Sequence, residues 1–391
     1  MLWLYWRRSR AVIGAVAAAL GTLAALAVVA SFLADGRRPG SAPSAALGHG
    51  RTSPGRSSLP GPNNPVVRRG MLLMAAAVAA CRTVPYRGVQ IVAWSSPEGS
   101  SSYLLDVWHR PGGPELARDD DASDGSGSLG FPASGGGTVG VLSLSAGMLE
   151  LLRLNYVLEY EGVGTSSNRS ARIVAVRRHD GTLAARFWLD AATGLPLRRE
   201  MFDRSGRRVS EGAFIDLQIG DQELGEVPAE AGRAWTAYAP ANGAASRPNA
   251  AQLASLQVDG WSVPGRLAGN MILSGVSRTA TPSGPVLDAR YSDGLSVASV
   301  FMQRGVLPRT LPGWHQADVS GTRVLATESG SLSEQGLAWS AHGIVYTVIA
   351  DAPPDAVAAI VAQLPHDSNI GFWSRVGRGL KRIASWFNPF G

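Results

Sequence analysis

Cysteine and lysine each occur once in 391 residues, at Cys81 and Lys381. A single thiol excludes an intrachain disulfide, so stability has to come from burial. With so little lysine, the net charge of +6 is carried by arginine. In an Ala- and Gly-rich chain this reads as compositional bias, not as a set of contacts. Nucleic-acid binding wants a concentrated basic face with interleaved aromatics, and the globular part shows none. The six histidines (His49, His109, His179, His315, His342 and His366) are scattered, with no H-x-x-x-H pair for zinc.

Other catalytic signatures fail on inspection. Gly125-Ser-Gly-Ser-Leu-Gly130 matches G-x-G-x-x-G, but Asp119, Asp120, Asp121 and Asp124 precede it and would repel a phosphate. Pro132 and Gly135-Gly-Gly137 follow where a helix is needed. As a calcium loop beginning at Asp119, the run would place Asp124 sixth and Gly130 twelfth, where glycine and a carboxylate are required. Gly294-Leu-Ser-Val-Ala298 lacks the last glycine of a nucleophile elbow and lies inside a strand pattern. Glu159 and Glu161 alternate as on an exposed strand face. The sequence assembles no active site, and we expect a non-enzyme with no catalytic, cofactor-binding or metal-binding residues.

Ala11–Ala34 runs 24 residues without a charge, behind Arg7, Arg8 and Arg10. As a helix it would span roughly 36 Å, enough for a hydrocarbon core of about 30 Å. Trp3, Tyr5 and Trp6 suit the interface beside it. Val28 and Ala30 would also permit cleavage of a secretory signal. An uncleaved signal-anchor with an extracytoplasmic body is the expectation. Residues 35–66 are rich in Pro, Gly and Ser and read as a tether.

Met71–Cys81 reads as a helix; behind Arg68-Arg69 it also mimics a lipoprotein signal with a lipidation box ending at Cys81. Strand patterns follow at Tyr86–Ser95 and Tyr103–His109, then a loop at Pro111–Gly137, a strand at Thr138–Ser143 and a helix at Ala146–Leu152. Further strands fall at Tyr156–Glu161, Ala171–Arg178, Leu183–Asp190, Leu197–Asp203 and Val209–Gln218. Short strands at this spacing, with helices at one end, imply an α+β fold: a curved antiparallel sheet packed on helices. A second linker, 237–252, precedes a smaller α+β unit. Its strands are expected at Met271–Arg278, Val286–Tyr291, Leu295–Arg304, Thr322–Glu328, Gly336–Ala341 and Ile344–Ala350, with a helix at Pro354–Leu364. The expected organisation is a head at 1–10, a transmembrane helix at 11–34, a linker at 35–66, a first domain at 67–236, the second linker, a second domain at 253–366 and a tail at 367–391.

In that tail, Phe372, Val376, Leu380, Ile383 and Phe387 form an apolar helical stripe. Arg375, Arg378, Lys381 and Arg382 lie opposite, with Trp373 and Trp386 near the ends. This is the composition of a helix lying in a lipid headgroup layer. Docking onto a partner, or onto the chain's own body, would use the same stripe.

In their order, several runs resemble the MucB/RseB family of extracytoplasmic sigma-factor regulators. They are Arg172–Gly181, then Phe187-Trp-Leu-Asp-Ala-Ala-Thr-Gly-Leu-Pro-Leu-Arg-Arg-Glu200, then Phe202-Asp-Arg-Ser-Gly206. Tyr86-Arg-Gly88 resembles the start of the family's first domain, and Tyr291–Phe301 resembles its second. The resemblance covers about 68–365. It implies a first domain folded like the lipoprotein carrier LolA, and a protein that binds the extracytoplasmic part of a membrane anti-sigma factor until an amphiphilic envelope-stress signal releases it. The alternative is a membrane-anchored carrier of a lipid or lipidated ligand. Family members typically carry a cleaved signal, so anchoring is a departure, and 111–137 looks like an insertion. The ligand pocket is not assigned to residues.

Overall fold

The structure is a computed structural model that describes residues 60–61, 63–96, 99–113, 115–119, 142–221, 248–282, 284–327 and 335–366. The expected membrane span at 11–34 and the tail residues from Phe372 to Phe387 lie outside them. Among the described residues, no helix is long and apolar enough to cross a membrane.

Helix α1 spans Pro65–Thr83. It begins inside the expected tether because Asn64 accepts the Val66 N–H at 2.9 Å and Pro65 takes the first helical position, where its missing N–H costs nothing. Its buried residues, Val67, Gly70, Met74, Ala77 and Val78, recur at helical spacing. Gly70 brings the helix against the strand beneath: a Cβ there would stand 2.5 Å from the Leu158 carbonyl oxygen. Only glycine permits that approach.

Strands β1 (Tyr86–Ser96), β2 (Gly99–His109) and β3 (Glu115–Asp119) follow. β3 lies inside the stretch read as a loop. Its five residues have too little alternation to show, and pairing with β2, Glu115 opposite His109, is what makes them a strand. Leu142 and Ser143, the end of the strand expected at Thr138–Ser143, are turn and irregular chain leading into α2 (Ala146–Asn155), whose cap is Ser145. Then come β4 (Val157–Ser166), β5 (Arg169–Arg177), β6 (Leu183–Asp190), β7 (Pro196–Phe202) and β8 (Arg208–Ile219). The eight strands form one antiparallel sheet ordered β3-β2-β1-β8-β7-β6-β5-β4. Bulges interrupt five of its pairings and bend it. Val174, Val176, Phe187, Leu189 and Met201 bury one face with Met74 of α1 and Leu152 of α2. Each such side chain contributes on the order of 1.5–3 kcal/mol.

Helix α3 (Ala250–Val258) starts within the expected second linker, because Asn249 and Gln252 form a reciprocal capping box. The second sheet holds β9 (Arg266–Leu267), β10 (Met271–Thr281), β11 (Gly284–Ser292), β12 (Val297–Arg304), β13 (Trp314–Val319), β14 (Thr322–Thr327), β15 (Gln335–Ala341) and β16 (Ile344–Asp351). Their order is β13-β14-β15-β16-β12-β11-β10-β9. Helix α4 (Pro354–Gln363) packs Val357, Ile360 and Val361 onto Tyr291, Val300, Trp339 and Tyr346. β13, unmarked in the sequence, is an edge strand of six residues, four of them polar or aromatic. Leu295, expected to open β12, instead belongs to the turn before it.

Candidate functional site

The two sheets meet where the turn between β11 and β12 enters the first unit. Asp293 makes this turn stiff, its Oδ1 accepting the N–H groups of Leu295 at 2.8 Å and Ser296 at 2.7 Å. Ser292 Oγ accepts the Gly294 N–H and donates to the Ser296 carbonyl. Gly294 has φ +97°, and a Cβ on it would fall 2.6 Å from the Leu152 nitrogen and 2.9 Å from the Met148 carbonyl oxygen. The turn therefore lies directly on the backbone of α2. Leu295 then buries itself among Met74, Leu152, Phe187 and Met201, in the core of the first sheet.

Polar groups close the joint. Tyr156 donates to Asp293 Oδ2 at 2.6 Å, and Asn155 Nδ2 donates to the Asp293 carbonyl at 3.0 Å. Burial raises the Asp293 carboxyl, partly offset by the Tyr156 hydroxyl and the Ser296 and Leu295 N–H groups. Burial, then the Asp293 charge, pushes the Tyr156 hydroxyl far up. Arg199, buried on β7, donates to the Leu295 carbonyl and to Asp351 Oδ2, both at 3.3 Å. Burial likewise raises Asp351, against the pull of Arg199.

A second buried cluster lies where β1, β2 and β3 meet. Tyr86 and Ser143 donate to Glu115 Oε2. The Tyr86 ring stacks on His109 at 5.2 Å and meets Phe214 edge-on at 5.6 Å. His109 Nδ1 donates to the Val84 carbonyl at 2.8 Å. Burial pushes Glu115 up to about 7, despite its two donors. An acid, a phenol and a hydroxyl could serve proton transfer, but Glu115 and Tyr86 are sealed from solvent, so this cluster works as a structural unit. Cys81 is a helix residue whose Sγ accepts the Leu144 N–H at 3.4 Å, its thiol pushed by burial up to about 12. That is the first-helix reading of the segment.

The opposite face of the first sheet is a charge lattice. Arg177 pairs with Glu159 at 2.7 Å, and Arg186 with Glu161 at 2.7 Å. Of the two glutamates read as an exposed face, Glu161 is exposed and Glu159 half-buried, and both are ion-paired. Arg198 and Arg208 each bridge Glu200 and Glu211. Arg169 meets Asp190 at 2.8 Å, and Asp190 also accepts the N–H and hydroxyl of Thr193. This is how the Thr193-Gly-Leu-Pro196 turn is fixed. Among the described residues, no three His, Cys, Asp or Glu side chains are grouped to hold a metal ion.

Tyr156, Asp293 and Arg199 escaped the sequence reading. Asp293-Gly294 is a turn dipeptide, a usable signal for the reversal itself. Nothing local announces that this turn docks on a helix more than a hundred residues away.

Residues 138–236 match the family model described as the MucB/RseB N-terminal domain. No curated protein matches the chain in sequence. Among solved structures, the complex of MucA and MucB from Pseudomonas aeruginosa is similar at 18% identity, covering 77% of this chain and 99% of that chain with a TM-score of 0.42. A structure of MucB alone is similar at 19% identity over 77% and 98%, with a TM-score of 0.40. A LolA superfamily protein from Nitrosomonas europaea covers 40% of this chain and 97% of its own, at 9% identity and a TM-score of 0.21. The segment from α2 through β8 is therefore the part of this chain that is similar to the MucB/RseB N-terminal domain.

Proposed function

We propose that the protein is an extracytoplasmic negative regulator of a sigma factor, holding the extracytoplasmic part of a membrane anti-sigma factor. The observation that carries this reading is the family match at 138–236. One of the similar solved structures is of MucB in complex with MucA(peri), and a MucA-like chain is the partner we infer here. The reading is that of a binding protein, with no reaction assigned to it.

We further infer that the body, divided into units at 67–236 and 253–366, is tied to the membrane by 11–34. The tail stripe from Phe372 to Phe387, with Trp373, Arg375, Arg378, Lys381, Arg382 and Trp386, would rest on the lipid surface. An amphiphile is the proposed signal. The apolar face of the first sheet, covered by two helices and a turn, supports this, since side chains there can be exchanged for an acyl chain without exposing polar groups.

The test is affinity capture of the full chain from detergent-solubilised membranes. Recovery of a single-pass anti-sigma protein, with sigma-dependent transcription rising when 261–364 is deleted, bears the proposal out. Co-purified lipid with no protein partner and unchanged transcription would replace it with the carrier reading.

A further inference from the structure

We propose that the joint between the two sheets is a proton-operated latch: seating the β11–β12 turn on α2 takes up a proton at Asp293, so acid holds the two units together and rising pH lets them part. The linkage belongs to the joint itself and does not depend on which partner the protein holds.

Each sheet has its own core, and among the described residues only Leu295 of the second unit enters the core of the first. Around that single apolar contact, charges of opposite sign face each other. Arg199 on β7 reaches Asp351 at the end of β16 at 3.3 Å, and Arg204 of the β7–β8 turn reaches Asp355 on α4 at 3.6 Å. Arg178, just after β5, donates to the Leu183 and Phe202 carbonyls and lies near enough to Tyr156 to favour its ionised form. Asp203 is held within its own turn by Ser205 and Arg207, and Glu150 and Arg153 of α2 are exposed. Asp293 differs from the other acids. It is nearly sealed from solvent and receives donors, but among the described residues it has no ion-pair partner.

A carboxylate taken out of water without a cation is costly, and proton uptake relieves that cost. With the units parted, Oδ1 keeps the Leu295 and Ser296 N–H groups, which belong to the same turn, while Oδ2 faces water. Docking replaces that water with the Tyr156 hydroxyl, and Asn155 takes the Asp293 carbonyl. The proton comes from solvent and forms an O–H bond at Oδ2. Tyr156 then accepts where it had donated, so a bond across the joint survives, weaker than the one to the carboxylate. Burial raises the Asp293 and Asp351 carboxyls alike, in the direction this requires. The docked state therefore holds more protons than the parted state. Docking is strongest in acid and weakens as the pH rises through the docked value of Asp293, by about tenfold per pH unit for one proton.

The experiment uses the full chain in mild detergent, spin-labelled at Val163→Cys and Val306→Cys, whose parent side chains are 73% and 81% exposed. Cys81, its thiol pushed by burial up to about 12, stays protonated and does not compete for label. Leu295→Ala, or Leu295→Val should the first not fold, is built into every chain to make the parted population measurable. The 163–306 distance distribution is read from about pH 5 to about pH 8, with circular dichroism showing that both sheets persist. In the chain with Asp293 the parted fraction should rise at least about tenfold across that range. In Asp293→Asn, which cannot titrate there, the rise should be no more than about threefold. Should that variant fail to fold, Tyr156→Phe decides: having lost the donor to the ionised form, it should raise the parted fraction by a larger factor at the basic end than at the acidic end. A parted fraction that is equal at both ends or rises toward acid would overturn the latch. So would an Asp293→Asn chain that keeps the parent's pH ratio, or a Tyr156→Phe factor independent of pH.

Discussion

The Tyr156 hydroxyl donates to Asp293 Oδ2 across the boundary between the two sheets, at 2.6 Å. Both groups are removed from water, and the carboxyl is raised by its burial while its donors pull it back. Tyr156→Phe deletes one of those donors and leaves the carboxylate short of a partner. The expected loss is about 2 kcal/mol of unfolding free energy. Its pH dependence has a definite sign. The lost bond stabilised the ionised form, so the penalty is smallest in acid, where the folded protein holds Asp293 protonated, and grows as the pH rises. Urea titrations at acidic and mildly basic pH would show it; a penalty equal at both would argue that Asp293 stays neutral throughout.

Glu115 gives a second titration. Its ordinary value is 4.5, and burial raises it to about 7 in the fold. Between those values the folded chain binds more protons than the unfolded chain, so stability is full below 4.5 and is lost as the pH rises through 7. The loss is about 3 kcal/mol. Glu115→Gln removes the titrating group while retaining an oxygen for Tyr86 and Ser143 to donate to. The variant should therefore show a flatter stability profile between pH 4.5 and 7.5, and a midpoint at pH 7.5 no lower than that of the parent. An unchanged slope would place the titration elsewhere.

These two sites show what the sequence can announce. Leu183–Asp190, a short, largely apolar run between turn residues, matches β6 to the residue, and Asp180-Gly181 and Ser205-Gly206 mark the reversals around β5–β8. The elements it hides owe their form to distant partners. β3 is a strand because β2 lies beside it, and β13 because β14 does. Leu295 carries the same ambiguity. An apolar residue before Val297, Val300 and Met302 continues a strand pattern, and only Asp293 and the surface of α2 turn it into a contact between sheets. Periodicity reports the face a residue presents; which body covers that face is settled by the fold.

Gln90 is an anomaly of the opposite kind. It sits mid-strand in β1 between Leu105 and Phe214, fully buried, with both amide atoms unpaired among the described residues. A buried amide without partners costs on the order of 1–3 kcal/mol. Gln90→Leu, close in volume and without polar atoms, should raise unfolding stability by roughly 1–2 kcal/mol, since replacing an unsatisfied polar group by an apolar one removes that cost. Denaturant midpoints at constant slope would measure it. A fall in stability would mean that the amide is engaged in solution.

Glu200 and Glu211 stand directly opposite each other on β7 and β8, their side chains 6% and 7% exposed. Two adjacent carboxylates repel, and their burial weakens the screening that water would provide. Arg198 bridges both, at 2.6 and 2.9 Å, and Arg208 bridges both from the other side, at 3.1 and 2.8 Å. The Arg198 guanidinium also covers the Trp188 ring at 4.8 Å, so it screens apolar surface as well as charge. Arg198→Met keeps most of the stem over Trp188 and removes the charge. It should cost about 2–3 kcal/mol, less than a fully orphaned buried ion because Arg208 remains. Glu200→Gln added to Arg198→Met should recover at least half of that loss, because one of the two facing charges is gone. Urea unfolding of the four corners of this cycle isolates the coupling. Additive losses would show that Arg198 acts through its cover of Trp188 and not through the carboxylates.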